Sequence, residues 1–312
     1  MTNNLLVIGI EEMYRNHPIP NLPNFKIVSW KDQETIKKAD IYIQNNIISQ
    51  KRKNLKHYYQ FIIDSGKPWI VTESAVFRKN MIQPPNPMAY HRYSWFSYFR
   101  DEGNYNNKNS PSDRWLRIQH EQNIEIKPWR KKDGYILLIL QRPGDSSLKN
   151  LLSKYKTYDN FLSSTIKDIS SNTDKPICIR MHPLRKDRQR AIIEKLNLKN
   201  IIISSNTQDA KLLEGGSGLY SDFEDAACVV GFNSNALTES VCEGIPTFSL
   251  CPSSMAWECS NTDLRFLDNP QMFDRTQWLN NLGYCQWKEY EIEQGLPWEH
   301  LKKVYEEINY GK

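Results

Sequence analysis

The sequence predicts an α/β protein with two doubly wound domains that face each other across a cleft. Short apolar runs alternate with helical stretches in each half of the chain, which is the pattern of a parallel sheet covered by helices. An irregular polar stretch separates the two halves. The chain has 312 residues, of which 39% are hydrophobic, and this is enough for two domains with cores of their own.

The N-terminal domain is predicted to span residues 1–128. Its first strand covers residues 5–10, and the apolar runs in "FKIVSW", "ADIYIQ" and "KPWIVTES" predict three more strands with polar helices between them. From Met81 to Ile118 the sequence is rich in Pro, Asn, Tyr, Trp and charge, with no regular period. A segment this long without a pattern is usually either functional or misread.

The C-terminal domain is predicted to span residues 129–270, after a linker read in "IKPWRKKDG". Five strands are predicted, in "GYILLILQ", "KPICIRMHP", "NIIISS", "AACVVGF" and "IPTFSL". The stretch "SSLKNLLSKYKTYDNFLSSTIKDISS" predicts one long helix between the first two strands. Residues 271–312 are predicted to form helices without a strand, to return to the N-terminal domain and to pack across both domains.

Composition narrows the class of protein. There are 41 Lys and Arg residues against 36 Asp and Glu residues, so the net charge of +5 permits an acidic macromolecular partner without requiring one. The six cysteines form no CxxC pair and have no metal-ligand spacing with the six histidines, which predicts buried free thiols and no metal site. No apolar run is long enough for a signal peptide or a membrane span, so we expect a cytoplasmic protein with no membrane partner. Nothing in the sequence specifies an oligomeric state.

Polar clusters follow four of the five predicted strands of the C-terminal domain. They are "QRPGDSS", "RMHP", "SSN" and "NSN", and the last opens a helix that carries Glu239. Because the carboxyl ends of parallel strands meet at one edge of a sheet, where ligands bind, we expect the clusters to converge. Arginine side chains, His182 and a helix start together suit a phosphate. The predicted binding residues are Arg142, Gly144, Asp145, Ser146, Arg180, His182, Asn233, Ser234, Asn235 and Glu239.

Each of these residues also has a plainer interpretation. Small polar residues before a helix are commonly N-caps, and Glu239 is either an acceptor for the hydroxyls of a ribose or sugar or a charge on the helix surface. No P-loop, dinucleotide-binding fingerprint or zinc motif is present. The edge is therefore predicted to bind a phosphorylated ligand without hydrolysing a nucleoside triphosphate.

The order "LLILQRPGDSS … RMHP … GFNSNALTESVCEGIPTF" resembles the donor-binding half of GT-B glycosyltransferases, which have two Rossmann-like domains. The resemblance is closest to the capsular-polysaccharide and Kdo-transferase-like group and covers residues 135–250. It implies that His182, Asn233, Ser234 and Asn235 hold the phosphate of a CMP- or UDP-linked sugar and that no cofactor is needed. It also implies that Arg142 and Asp145 lie near the donor, with Glu239 near the ribose or the sugar.

In the N-terminal half, "VTESAVFRKN" is similar to the "E-D-G-F-x-R" segment of those enzymes, but Ser74 and Ala75 replace its acid and glycine. Other stretches, such as "YSWFSYFRDEGNYNNKNSPSDRW", resemble bacteriophage proteins. Some phages encode GT-B enzymes that glycosylate hydroxymethylated pyrimidines in their DNA. The resemblance therefore implies metal-independent, inverting transfer of a sugar from a nucleotide-sugar donor, with a hydroxymethylated pyrimidine in phage DNA as the favoured acceptor.

Inverting transfer needs a carboxylate to deprotonate the acceptor hydroxyl. Asp101 is the predicted base, with Glu102 and Glu73 in reserve; the alternative for Asp101 is a solvated charge paired with Arg100 or Arg114. The predicted acceptor-binding residues are Arg92, Trp95, Tyr98 and Arg100, with the Lys51–Lys53 run as a further candidate. Two other functions remain open: transfer to a capsular or other surface polysaccharide, and a non-catalytic protein that binds nucleotides or nucleic acid.

Overall fold

The computed structural model describes residues 4–14, 18, 20–22, 24–45, 56–77, 80–182, 186–196, 200–206 and 218–310. The chain divides into two compact units. The first comprises Met1–Val76, Met81–Trp115 and Leu279–Lys312, and the second comprises Phe77–Asn80 and Leu116–Trp278. None of the helices in the described ranges combines the length and the apolar composition that a membrane crossing requires.

Strands and helices alternate along most of both units. In chain order the strands are β1 (Val7–Ile10), β2 (Phe25–Val28), β3 (Ile41–Asn45), β4 (Trp69–Ser74), β5 (Tyr90–Trp95), β6 (Tyr135–Ile139), β7 (Ile177–Arg180), β8 (Ile201–Ile203), β9 (Ala226–Gly231), β10 (Thr247–Ser249) and β11 (Gln286–Lys288). The helices are α1 (Gln33–Lys37), α2 (Lys56–Asp64), α3 (Asp113–Glu121), α4 (Lys149–Tyr155), α5 (Tyr158–Ser170), α6 (Lys186–Lys195), α7 (Leu219–Glu224), α8 (Ala236–Cys242), α9 (Thr276–Gly283), α10 (Glu289–Glu293) and α11 (Leu296–Tyr310).

The first unit contains a six-stranded sheet in the order β11-β5-β4-β3-β1-β2. The four strands from β4 to β2 are parallel, whereas β5 is antiparallel to both of its neighbours. Side chains on both faces are buried: Ile41 and Ile43 pack with Trp95 and α11, while Tyr42 packs with α1 and α2. The four strands predicted for this half are present.

Two strands of this sheet were not predicted from the sequence. β5 lies inside the stretch from Met81 to Ile118 that shows no period, and β11 lies in the tail that was predicted to be helical throughout. All six residues of β5 are buried, including His91 and Arg92, so β5 is a core strand although its sequence contains polar residues. β11 has three residues, too few to display a period, and its partner strand lies far earlier in the chain.

A buried ion pair and a buried histidine–carboxylate contact hold the returning C-terminal segment within the first unit. Arg114 donates two hydrogen bonds to Glu291, at 3.0 and 2.9 Å, and its guanidinium lies 3.8 Å from the ring centroid of Trp287. His91 Nε2 lies 3.0 Å from the carboxylate of Glu289. All four side chains are nearly inaccessible to solvent, so each depends on its partner in the fold.

The second unit contains a five-stranded sheet in the order β10-β9-β6-β7-β8, with every pair parallel. All five predicted strands are confirmed. The apolar face of α5, including Phe161, Leu162 and Ile166, packs on this sheet. The single long helix predicted after β6 is wrong: Lys156 has a φ of +63° and separates α4 from α5, and the side chain of Thr157 caps α5.

The unit boundaries lie at other positions than the predicted 128/129 and 270/271. The segment predicted as a linker is bonded to the second unit, because the main-chain N–H groups of Lys127 and Arg130 donate to the carbonyls of Cys242 and Gly244, both at 2.9 Å. Residues 271–278 also stay with this unit. The Gln271 N–H donates to the side chain of Asn261, for example, at 2.9 Å.

We predict that Glu291→Gln lowers the free energy of unfolding of the first unit by about 3 kcal/mol, because it leaves the Arg114 charge buried without a counter-ion. Urea denaturation followed by tryptophan fluorescence measures this change. Lys302→Met is the matched control, since it removes a pair with Glu299 on the surface of the same unit and should cost less than about 0.5 kcal/mol. Equal losses in the two variants would contradict the prediction.

Candidate functional site

The carboxyl edge of the second sheet gathers the polar clusters. β9, β6, β7 and β8 are neighbours and parallel, so the segments that begin at residues 140, 181, 204 and 232 all leave the sheet at the same edge. Hydrogen bonds between these segments join them into one surface.

Gln141 ties the segment after β6 to the segment after β9. Its Nε2 donates to Ser147 Oγ at 2.7 Å and to the carbonyl of Asn233 at 3.2 Å, and its Oε1 accepts from the main-chain N–H of Asn233 at 2.8 Å. Asn233 Nδ2 also donates to the carbonyl of Ser147, at 3.3 Å. The two predicted clusters "QRPGDSS" and "NSN" therefore lie against each other.

The segment after β6 folds into a tight turn around Gly144, which has a φ of +74°. Asp145 Oδ1 accepts from the N–H and the Oγ of Ser147, at 3.0 and 2.9 Å, and thereby closes the turn. Ser146 begins a short 3₁₀ turn there. These contacts give Gly144, Asp145 and Ser146 a structural role in shaping the loop.

Arg142 retains unused hydrogen-bonding capacity at this edge. Its nearest described carboxylate is that of Asp145, with Nη2 and Oδ2 3.6 Å apart, and the arginine side chain is 37% exposed. Its Nε is buried and has no hydrogen-bond partner among the described residues. The guanidinium is thus a partly exposed cation with donors still available to a ligand.

His182 lies beside this arginine. Its main-chain N–H donates to Gln189 Oε1 at 2.8 Å, and Gln189 Nε2 in turn donates to the carbonyl of Gln141 at 3.0 Å. Burial, and then the positive charge of Arg142, lower the pKa of His182 below its usual value, while Asp145 opposes the shift. The imidazole is therefore neutral at neutral pH, with one ring nitrogen as a donor and the other as an acceptor.

Arg180, in contrast, is neutralised inside the unit. Its Nη1 forms a salt bridge with Asp222, which is 1% exposed and also accepts from Ser204 Oγ at 2.7 Å and from Asn206 Nδ2 at 2.8 Å. The predicted "SSN" cluster is thus tied to α7 through Asp222. Arg180 holds the end of β7 to α7, and its positive charge is compensated at the point where it was predicted to face a phosphate.

At the start of α8 the side chains of Asn233, Ser234 and Asn235 are all partly exposed. Ser234 Oγ accepts from the main-chain N–H of Ala236 at 3.3 Å, whereas Asn235, the cap residue itself, makes no capping hydrogen bond with its side chain. Glu239 lies one turn further on, is 5% exposed and accepts from the hydroxyl of Tyr220 at 2.8 Å. The alternative of Glu239 as a surface charge is therefore wrong.

The predicted acceptor-binding residues of the first unit are mostly buried. Trp95 is fully buried, donates from its indole N–H to the carbonyl of Leu301 at 3.0 Å and stacks on Tyr305. This burial contradicts its prediction as a stacking residue for an acceptor.

The other predicted acceptor-binding residues are also poorly exposed. Arg92 and Tyr98 are 5% and 6% exposed, and the Arg92 side chain donates to the carbonyls of Ser74 and Tyr98. Arg100 is half-buried, and the Lys51–Lys53 run lies outside the described residues.

The three predicted carboxylates of the first unit differ in their surroundings. Asp101 and Glu102 lie in an exposed turn, where Glu102 accepts from Ser97 Oγ at 3.3 Å. Arg114, one of the two partners predicted for a solvated Asp101, is bonded to Glu291 instead. Glu73 is half-buried and accepts from the N–H of Ser74 at 2.8 Å.

Sequence reasoning missed the residues that orient the edge: Gln141, Gln189, Tyr220 and Asp222. Gln141 stands at the head of "QRPGDSS", and its position next to a glycine turn was an available signal. Gln189 and Asp222 lie on helices with no local motif, and their partners Gln141 and Arg180 are distant in the chain. The six cysteines are buried and free, as predicted. Among the described residues, no group of three or more His, Cys, Asp and Glu side chains could hold a metal ion.

No protein-family model matches this sequence, and no curated protein matches it. Its structure is similar to two proteins of Thermosulfurimonas dismutans. One is the KpsC β-Kdo 2,4-transferase, with a TM-score of 0.52, 12% identity and coverage of 89% of this chain and 90% of that one. The other is the KpsC β-Kdo 2,7-transferase, with a TM-score of 0.52, 13% identity and coverage of 96% and 99%. The chain therefore shares the fold of these two transferases.

We predict that Gln141→Leu lowers the free energy of unfolding of the second unit by about 2 kcal/mol, because the donors and acceptors of Ser147 and Asn233 lose their partner. Thermal and urea denaturation measure the change. The control is Gln60→Leu, which removes an exposed contact with Asp64 and should stay within about 0.5 kcal/mol of the wild type. A Gln141 variant as stable as the wild type would show that the two loops do not depend on this amide.

Proposed function

We propose that this protein is a glycosyltransferase that moves a sugar from a nucleotide-sugar donor to an acceptor hydroxyl without a metal ion. The observation that carries the proposal is the carboxyl edge of the second sheet. There the partly exposed Arg142 lies beside the neutral His182, on loops that Gln141 fixes to the start of α8. The fold shared with two proteins named as Kdo transferases is consistent with this function.

The donor phosphate is proposed to bind between Arg142 and the start of α8. A guanidinium forms strong, charge-assisted hydrogen bonds with phosphate oxygens. The main-chain N–H groups at the start of α8, with Asn233, Ser234 and Asn235, add donors, and His182 supplies a further neutral donor. Arg180 contributes indirectly, since its own charge is balanced by Asp222.

Glu239 is proposed to accept hydrogen bonds from the hydroxyls of the donor. It lies four residues after Asn235, which is about 6 Å along a helix. A ribose or a sugar is the group next to the phosphate in a nucleotide sugar, and a carboxylate can accept from two adjacent hydroxyls. The proposed donor is CMP- or UDP-linked.

The chemical step is proposed to be a direct displacement. The acceptor oxygen attacks the anomeric carbon, the bond from that carbon to the phosphate oxygen breaks, and a carboxylate takes the proton of the acceptor hydroxyl. Asp101 is the proposed base, with Glu102 and Glu73 as alternatives, and Arg142 balances the negative charge of the departing phosphate. A donor-binding second domain and an acceptor-binding first domain, facing across a cleft, are part of this proposal.

A glycan is the favoured acceptor, rather than DNA. The DNA prediction came from the resemblance to phage proteins, and three of the residues predicted to contact the acceptor, Arg92, Trp95 and Tyr98, are buried. The two proteins of similar fold are named as sugar transferases. A surface polysaccharide or lipid-linked glycan therefore has the better support.

The first test is donor binding. We expect the wild type to bind CMP or UDP in titration calorimetry and Arg142→Gln to bind it at least about tenfold more weakly, because a charge-assisted contact with the phosphate is lost. Arg188→Gln, which removes an exposed pair with Asp159 in the same unit, should bind like the wild type. Turnover should persist in EDTA.

Two outcomes would contradict this part of the proposal. One is a wild-type protein that binds none of these nucleotides and turns over no nucleotide sugar, which would favour a non-catalytic role. The other is an equal loss of affinity in the Arg142 and Arg188 variants, which would point to a general effect of charge on the surface.

The second test concerns the base. We expect Asp101→Asn to reduce transfer about 10²- to 10⁴-fold while the affinity for the donor nucleotide is retained, because only proton transfer is affected. Radiolabelled nucleotide sugars offered with an oligosaccharide panel and, separately, with hydroxymethylated DNA measure the transfer. Glu102→Gln, one residue away, is the comparison.

Full turnover by the Asp101 variant together with a loss in the Glu102 variant would move the assignment to Glu102. Full turnover by both would leave Glu73 to be tested. Label that appears only on DNA would overturn the preference for a glycan acceptor.

A further inference from the structure

Helix α7 contacts two of the predicted donor-site residues, Arg180 and Glu239. It begins after Gly218, whose φ is +90° and where a Cβ would lie 2.2 Å from the carbonyl oxygen of Asn206. The carbonyl of Gly218 accepts from Arg180 Nη1 at 3.1 Å. The start of α7 is therefore held against the ends of β7 and β8, where only glycine fits.

Two side chains of α7 bind charged residues on other elements of the second unit. The carboxylate of Asp222 binds Arg180 at the end of β7. The hydroxyl of Tyr220 donates to Glu239 Oε2 on α8 at 2.8 Å. One short helix thus sets the side-chain positions of two residues that sequence reasoning assigned to the donor.

The contact with Tyr220 suits the task of orienting a carboxylate. Glu239 is only 5% exposed, so few of its side-chain conformations are possible, and the phenol hydrogen bond selects among them. Burial, followed by the negative charge of Glu239, raises the pKa of Tyr220 well above its usual value. The phenol therefore stays protonated at neutral pH and can donate to the carboxylate.

We propose that Tyr220 is a positioning residue of the donor site and that its hydroxyl orients Glu239 to accept hydrogen bonds from the ribose hydroxyls of the donor nucleotide. The inference rests on the proposed function. A carboxylate offers about four lone-pair positions, of which the Tyr220 hydroxyl uses one. The distance of about one helical turn between Glu239 and the start of α8 matches the step from the phosphate to the ribose.

A different role for Tyr220 predicts the opposite change in nucleotide affinity when its hydroxyl is removed. If its hydroxyl merely covered Glu239, a ligand would have to displace it, and removal of the hydroxyl would strengthen binding. If its hydroxyl orients the carboxylate, removal weakens binding. The direction of the change in affinity therefore separates the two roles.

The experiment measures nucleotide binding by the full chain with titration calorimetry. The proteins are the wild type, Tyr220→Phe, Glu239→Gln and the double variant, and the ligands are CMP and UDP with their 2′-deoxy and 3′-deoxy forms. Tyr135→Phe is the matched control, because the hydroxyl of Tyr135 also bonds α7, at the carbonyl of Asp222 and 2.7 Å away, but does not contact Glu239.

We expect Tyr220→Phe to bind the ribonucleotide about tenfold more weakly than the wild type. It should also lose most of the preference for ribonucleotides over their deoxy forms, a readout that a merely structural role would not change. In the Glu239→Gln background the same substitution should have little further effect, because the two residues act as one unit. Tyr135→Phe should reduce the melting temperature and leave nucleotide affinity unchanged.

The remaining outcomes overturn the inference, and they differ from a failure of the proposed function. Wild-type affinity in Tyr220→Phe, tighter binding, an unchanged preference for ribose, or an equal loss in Tyr135→Phe would each reject the positioning role while nucleotide binding by the wild type stood. A wild type that binds no nucleotide would reject the proposed function and this inference with it.

Discussion

The carboxyl edge of the second sheet depends on one side chain, the amide of Gln141. Two loops that leave separate strands have no main-chain pairing of their own beyond the sheet, so their relative position must come from side chains. Gln141 meets the main chain of Asn233 with both a donor and an acceptor, because a side-chain amide carries both. Because the same residue reaches Ser147, the turn that carries Arg142 and the start of α8 are joined into one surface.

The ion pairs of the arginines distinguish the arginine that is proposed to bind an anion from the arginines that stabilise the fold. Arg180 and Arg114 are both bonded to buried carboxylates, and a buried cation without such a partner would be costly. Arg142 is different, because its nearest described carboxylate is 3.6 Å away and its side chain reaches solvent. Three arginines of the same chemistry thus have two roles, and the positions of Asp222 and Glu291 decide which role each has.

The sequence was informative where structure is local and less so where it depends on distant partners. The five strands of the second sheet were predictable because each is a buried run bounded by polar residues, and the parallel order brought their ends to one edge. β5 was not predicted because His91 and Arg92 are residue types that usually lie on the surface. Here they are buried against Glu289 and β11, which come much later in the chain. Trp95 was misassigned for the same reason: its cover comes from Leu301 and Tyr305, in the C-terminal helix.

The contrast between local sequence patterns and distant partners also applies to the candidate site. The groups proposed to contact the donor lie in short motifs directly after strands, where sequence can reveal them. The groups that orient these contacts, such as Gln189, Tyr220 and Asp222, lie on helices elsewhere and carry no motif. A chain could therefore keep "QRPGDSS", "RMHP" and "NSN" and still lose the site through one change in α7. A resemblance limited to such motifs identifies the candidate contacts, whereas the orienting residues decide whether those contacts can act together.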